Sequence, residues 1–302
     1  MAERVLDYFE MKIEKEAWQI GEAFLQGILL EVSSCPKPGL VSTISMGSHR
    51  DMNILTFMVG SAVISSTFTL CAQAGRNHTG KANELLPILR KIGIVSEKRL
   101  LEATKGVNTQ RGILFAGGIL CGAAGFLSKK GDINLKELFR LTTRITEGLV
   151  ERELLGLSLD KKKLTAGEQL FLKYKATGIR GEVERGFPSV QNYGLPAFKE
   201  AVENRVSLNH CLVHTLISLM TAVEDTTILW RKDKETLINV QKTAQNLLDM
   251  GSVFTKEGLR EIENVNKDFI KKNISPGGSA DLVAVTVGSY LLENGHFPVR
   301  IL

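Results

Sequence analysis

The sequence predicts an all-α protein. Apolar residues recur at helical spacing through long segments, several of those segments open with Ser, Asp or Asn, and Val/Ile/Thr alternation bounded by turn pairs is scarce. The first helix is expected over residues 15–32, where Ala, Leu, Ile and Glu mix, and Pro36 and Pro38 end it. Asp51 opens a second segment running to about residue 74, apolar nearly all round and therefore expected in the interior. Residues 96–104, 111–128, 135–150, 207–223, 234–249, 255–272 and 279–293 read as further helices. The run 113–127 is the longest nearly uncharged stretch, short for a bilayer span and rich in Gly and Ala. Gly118 and Gly122 stand four apart in it, which in a membrane suggests a dimerising helix; a core helix with close neighbours is the favoured reading.

At 302 residues the chain can bury a large core, and the absence of Gly/Ser-rich or Pro-rich linkers predicts one domain over residues 1–302. The net charge of +5 is spread along the chain, with short clusters at Lys161-Lys162-Lys163 and Lys271-Lys272. That distribution suits a polyanionic small molecule better than a nucleic-acid duplex. The four cysteines, Cys35, Cys71, Cys121 and Cys211, are far apart and without CxxC spacing, as buried thiols are. Acids among the first seven residues are unlike a signal peptide, so a cytoplasmic protein with no membrane partner is expected.

Function is expected on the loops between helices. Three polar glycine clusters stand out: Pro36-Lys37-Pro38-Gly39-Leu40-Val41, the stretch from Gly178 to Gly186, and Ser275-Pro276-Gly277-Gly278-Ser279. The last opens into an apolar helix, so its backbone N–H groups and the helix dipole are expected to receive a phosphate chain, and the three clusters are expected to converge. Gly75-Arg76-Asn77-His78-Thr79-Gly80-Lys81 nearly matches a P-loop, but Ala82 follows where Ser or Thr belongs and the upstream segment reads as helix. His210 and His214 share a helix face without a third ligand nearby, which favours a structural pair over a zinc site. In Gly47-Ser48-His49-Arg50-Asp51-Met52, His49 and Arg50 can grip phosphate while Asp51 holds a metal; Asp51 can equally be a helix cap. Asn108 and its neighbours form a polar turn, with Glu97 upstream, that can bind a sugar or base or simply end a helix. Glu224-Asp225 closes an apolar run, where two carboxylates call for a cation; magnesium, served by single acids such as Asp51, Glu97, Asp225 and Asp281, is the economical one.

Together these motifs resemble one family, the triphosphoribosyl-dephospho-coenzyme A synthases that make the precursor of the citrate lyase prosthetic group. The resemblance runs from about Gly21 to Leu292 and is carried by Pro36-Lys37-Pro38-Gly39-Leu40-Val41, Gly47-Ser48-His49-Arg50-Asp51-Met52, Ala103-Thr104-Lys105-Gly106-Val107-Asn108-Thr109, Leu164-Thr165-Ala166-Gly167, Gly181-Glu182 and Ser275-Pro276-Gly277-Gly278-Ser279-Ala280-Asp281-Leu282. It implies an enzyme that joins ATP to dephospho-coenzyme A through a new glycosidic bond and releases adenine. The product would pass to a holo-acyl-carrier-protein synthase. A paralogue serving malonate decarboxylase or using another hydroxyl acceptor, and a non-catalytic nucleotide sensor, are the alternatives, and a homodimer is left open.

Such chemistry needs a grip on the triphosphate, a proton acceptor, negative charge near the developing cation and a donor to the departing base. Lys37, His49, Arg50, Arg111, Arg180 and the Gly277-Gly278-Ser279 turn are expected on phosphates, Asn108 on the nucleotide, and Asp51, Asp225 and Asp281 near magnesium. Glu97 or Glu182 is the expected proton acceptor, and Asp51 completes the expected catalytic set. Three places depart from the family pattern: Gln110-Arg111 replaces His-Lys, Asp225-Thr226-Thr227 replaces Asp-Thr-Asn, and Arg231-Lys232-Asp233 replaces Arg-Gly-Gly.

Overall fold

A computed structural model describes residues 12–157 and 164–298. The lysine cluster at 161–163 and the acidic N-terminus lie outside the described residues. Among the described residues there are thirteen α-helices and no strand. In order they are α1 (Lys15–Ser33), α2 (Ile54–Asn77), α3 (Leu85–Ala103), α4 (Arg111–Ser128), α5 (Leu135–Thr146), α6 (Ala166–Tyr174), α7 (Gly178–Glu184), α8 (Leu195–Glu203), α9 (Leu208–Met220), α10 (Thr226–Arg231), α11 (Lys234–Asp249), α12 (Lys256–Lys272) and α13 (Gly277–Asn294).

Helix α4, uncharged beyond Arg111, is the hub, packed against α1, α2, α3, α5 and α13. Small residues set how close it lies to α2: a Cβ built on Gly75 would sit 2.0 Å from the Gly122 carbonyl, and one on Gly125 would sit 2.0 Å from the Ala72 carbonyl. Only glycine permits that approach. Phe24, Phe68, Leu120 and Leu138 are fully buried in the same core.

Several boundaries differ from the expectation, each for a local reason. Helix α2 begins at Ile54 because Asn53 caps it, its side chain accepting from the Thr56 N–H in a capping box. Asp51 therefore lies outside the helix, with its side chain 63% exposed. Nor is α2 wholly interior, since Leu55 and Val59 on one face are exposed. Helix α3 starts eleven residues before the expected 96 because Pro87 falls in its first turn, where a missing N–H does no harm. Helix α5 stops at Thr146, ahead of Gly148 at φ 71°. The four helices not expected, α6, α7, α8 and α10, have six to nine residues each, too short to show periodicity. One of them, α7, folds within the glycine cluster read as a loop.

By length and composition alone α2 and the whole of α4, which extends the run 113–127 at both ends, would each be long enough to cross a membrane. Position decides for α4, most of which is enclosed by other helices. The P-loop look-alike starts inside α2, without the strand a P-loop needs. His214 is buried and bonded to Ser252 Oγ at 2.9 Å and Glu200 Oε2 at 3.2 Å, a structural arrangement.

Candidate active site

The three glycine clusters converge, as expected, on one cavity of about 350 Å³. Its walls come from α1 (Ile28, Glu31), the segment after it (Lys37, His49), the start of α4 (Asn108, Arg111, Gly112), α7 (Gly178, Glu182), the approach to α10 (Glu224, Thr227) and the start of α13 (Ser275, Gly278, Asp281).

The N-terminus of α13 is closed by protein. Asp225 Oδ2 accepts from the Ser279 N–H at 2.8 Å and the Ser279 hydroxyl at 3.0 Å, and Oδ1 accepts from the Gly278 N–H at 3.2 Å. The same Oδ1 caps α10, accepting from the Thr227 and Ile228 N–H groups at 3.0 and 3.3 Å. Burial pushes the Asp225 carboxyl up, and these donors oppose it. This corrects two expectations. The Gly278 and Ser279 amides are not open to a phosphate chain, and Asp225, saturated by five donors, is a latch between two helices rather than a metal ligand. Gly277 and Gly278 still line the cavity, where only a backbone surface is presented.

His49 also has a different role from the expected cation. Its Nε2 lies 2.8 Å from Ser275 Oγ and its Nδ1 3.2 Å from an Arg231 nitrogen. Guanidinium only donates, so Nδ1 accepts and Nε2 carries the proton, which it gives to Ser275 Oγ. Burial and the neighbouring Arg231 charge push the imidazole down, and Asp51 opposes the shift. Arg231 is itself anchored on the Ser48 carbonyl and the Asn273 side chain.

The other expected cations are distributed unevenly. Lys37 lines the cavity, but its ammonium is committed to Glu31 Oε1 at 2.5 Å and the Glu31 carbonyl at 2.6 Å. Burial pushes Lys37 down and Glu31 up, and their contact opposes both shifts. Arg111 lines the cavity and pairs with Glu97 at 2.5 Å. Arg180 is turned away from it, its Nε donating to Glu153 Oε2 at 2.6 Å, and Arg50 is an exposed residue outside the lining. Asp51 is likewise outside, 3.8 Å from His49.

Of the two expected proton acceptors, Glu182 faces the main cavity and Glu97 does not. Glu182 Oε1 accepts from the Ser189 N–H at 2.8 Å and Oε2 from its hydroxyl at 3.0 Å, while burial pushes the carboxyl up.

Asp281 is the unusual acid. It pairs with no described cation, its charged neighbours are the acids Glu31 and Asp225, and burial together with them pushes its carboxyl well up. The Ile113 N–H at the start of α4 is the donor that opposes this. A Cβ on Gly112 would fall 1.8 Å from Asp281 Oδ2, so glycine there makes room for the carboxylate. Among the described residues no group of three or more His, Cys, Asp or Glu converges to hold a metal. Two further lining residues, Thr109 and Gln110, each keep a buried oxygen without a partner. Sequence reading named neither Ser275 nor Arg231 as a site residue, although both lie in motifs it had singled out.

A charged concave site built where helix N-termini meet defines an enzyme-type pocket for a polar small molecule in an all-helical chain. The chain belongs to the ATP:dephospho-CoA triphosphoribosyl transferase (CitG) family, whose description matches residues 17–297. It is 46% identical over 292 residues to a probable 2-(5''-triphosphoribosyl)-3'-dephosphocoenzyme-A synthase of Malonomonas rubra, covering 96% of this chain and 92% of that protein. It is 38% identical over 272 residues to the 2-(5''-triphosphoribosyl)-3'-dephosphocoenzyme-A synthase of Klebsiella pneumoniae, covering 89% of each. Protein CitXG of Leuconostoc mesenteroides subsp. cremoris is 36% identical over 273 residues, which are 89% of this chain and 58% of that longer protein. No solved structure matches the chain.

Proposed function

We propose that the chain transfers the triphosphoribosyl group of ATP to 3'-dephospho-CoA, releasing adenine and forming 2'-(5''-triphosphoribosyl)-3'-dephospho-CoA. Family membership over residues 17–297 supports the reaction class. The structural observation that carries the reading is Asp281, a carboxylate held without a described cation partner in the cavity. An unpaired acid in a buried setting is unfavourable in the empty protein and becomes favourable when positive charge arrives.

In the reaction, the ribose hydroxyl of dephospho-CoA forms a bond to the anomeric carbon of ATP as the bond to adenine breaks. The bonding pair leaves with adenine, which takes up a proton from solvent, and the hydroxyl proton goes to Glu182, whose raised pKa suits a base, and from there back to solvent. Arg111 and the exposed Arg185 on the cavity rim hold phosphates. Ser275, whose oxygen accepts the His49 proton, turns its own proton toward the departing base.

Magnesium fits this residue set at one point. It takes one or two carboxylates and completes its shell with substrate phosphates and water, and Asp281 can supply that single carboxylate. Bound there it would neutralise triphosphate charge. Asp225 is saturated and Asp51 lies off the cavity, so neither fits.

We place the reaction in the cytoplasm, with the product passed to a holo-acyl-carrier-protein synthase that charges citrate lyase acyl carrier protein. The test is incubation of the purified protein with ATP, magnesium and dephospho-CoA, following free adenine and the mass of the coenzyme product. Adenine with a triphosphoribosyl adduct in the wild type, and neither in Asp281→Asn, is expected; nucleotide binding with no adduct in the wild type would overturn the reading.

A further inference from the structure

Two nucleotides must meet in this reaction, and the main cavity is small for both. Its volume of about 350 Å³ lies near the lower end of the roughly 300–1,000 Å³ that encloses one drug-sized ligand. The pantetheine arm of dephospho-CoA therefore has to lie elsewhere.

A second cavity of about 210 Å³ opens where α2, α3 and α4 meet. Its wall is chiefly apolar, formed by Cys71, Leu86, Leu89, Leu114, Phe115 and Ile119. The charged residues on its edge are paired with one another, Arg111 with Glu97 and Arg90 with Glu153. Arg111 lines both cavities, and its guanidinium pairs with Glu97 in the wall of the second. Dephospho-CoA has a matching order of parts: a ribose that reacts, an anionic pyrophosphate, and a neutral arm with a dimethyl centre and a thiol end.

Resting on the transferase reading above, we propose that the second cavity receives the pantetheine arm of dephospho-CoA, with Arg111, the residue that lines both cavities, on the pyrophosphate. The main cavity then holds the triphosphoribosyl donor and the acceptor ribose. Acceptor choice is made by an apolar pocket that the donor never enters.

Gly93 offers a clean test. It lines the second cavity, and a Cβ built on it meets nothing within 4 Å, so a side chain can start there without a clash. Gly118→Ala is a gentler companion, since its Cβ would rest in ordinary contact 3.5 Å from Cys71 Sγ. Both variants would be assayed with dephospho-CoA and with ADP, which carries the same adenosine and pyrophosphate without the arm. The wild type is expected to favour dephospho-CoA by about tenfold or more in kcat/KM. Gly93→Phe is expected to raise the KM for dephospho-CoA about tenfold, leaving the KM for ATP and the rate with ADP unchanged. Gly118→Ala should shift it the same way by less. Unchanged discrimination, or equal loss with both acceptors, would overturn the proposal. If the wild type releases no adenine at all, the transferase reading fails separately. Calorimetric titration then decides the arm site: equal affinities for dephospho-CoA and ADP overturn it, and tighter dephospho-CoA binding that Gly93→Phe removes upholds it.

Discussion

Asp225 and Ser279 are joined twice, the N–H and the hydroxyl of Ser279 both donating to Asp225 Oδ2 at 2.8 and 3.0 Å. Through this contact the approach to α10 is tied to the first turn of α13, and both of those segments form cavity wall. A buried carboxylate thus does for two helix N-termini what a bound anion would do for one.

Removing that latch is expected to be structurally severe. Asp225→Ala leaves several buried N–H groups without an acceptor and should lower stability by about 3 kcal/mol or more. Urea unfolding followed by circular dichroism measures it. Asp225→Asn keeps one acceptor oxygen and should lose less.

Asp281 should behave in the opposite sense. Asp281→Asn removes an acid that burial and the nearby Glu31 and Asp225 disfavour, so the metal-free protein should unfold at higher denaturant while turnover disappears. A variant both less stable and fully active would contradict the assigned role.

Gly112→Ala tests the same carboxylate from the first turn of α4, which packs directly against it. A methyl group 1.8 Å from Oδ2 must displace Asp281, so adenine release should fall at least about tenfold with the far-ultraviolet helical signal retained. Rates near wild type would show that the position of Asp281 is not critical.

Arg231 acts through His49. Arg231→Gln should allow His49 to change tautomer and lower kcat more than it raises the KM for ATP, by about tenfold or more. Nitrogen NMR of the imidazole reads the tautomer directly: protonated Nε2 and bare Nδ1 in the wild type. An unchanged spectrum in the variant would remove Arg231 from this role.

The acid limb of the rate profile belongs to Glu182. Its carboxyl is raised by burial, and a base works only when deprotonated, so kcat/KM should fall as pH drops through an inflection above the ordinary carboxylate range. Glu182→Gln should lower the rate and abolish that limb. An inflection at an unperturbed carboxylate value would assign it to another group.

Much of the fold was legible because long helices carry their own periodicity. Helices α4 and α11 match the expected ranges 111–128 and 234–249 to the residue, and α1, α12 and α13 differ by one or two. Short helices were not legible: α7 has seven residues, two of them glycine, and stands as a helix by virtue of its neighbours. Within the site, the glycine clusters and acids were visible as motifs, but their partners were not. Nothing local in Asp225-Thr226-Thr227 says that its carboxylate reaches Ser279.

By itself the sequence determined the helical class, the long helices, the family motifs and the residues from which the cavity is built. Tertiary structure alone decided which charges are spent within the protein and which remain for a ligand. Asp225 meets Ser279 across 54 positions of chain and Arg231 meets His49 across 182, whereas Asp281 meets no described cation. The physical reason is range: helix periodicity repeats within a few residues, while pairing and desolvation depend on which distant segments are packed together.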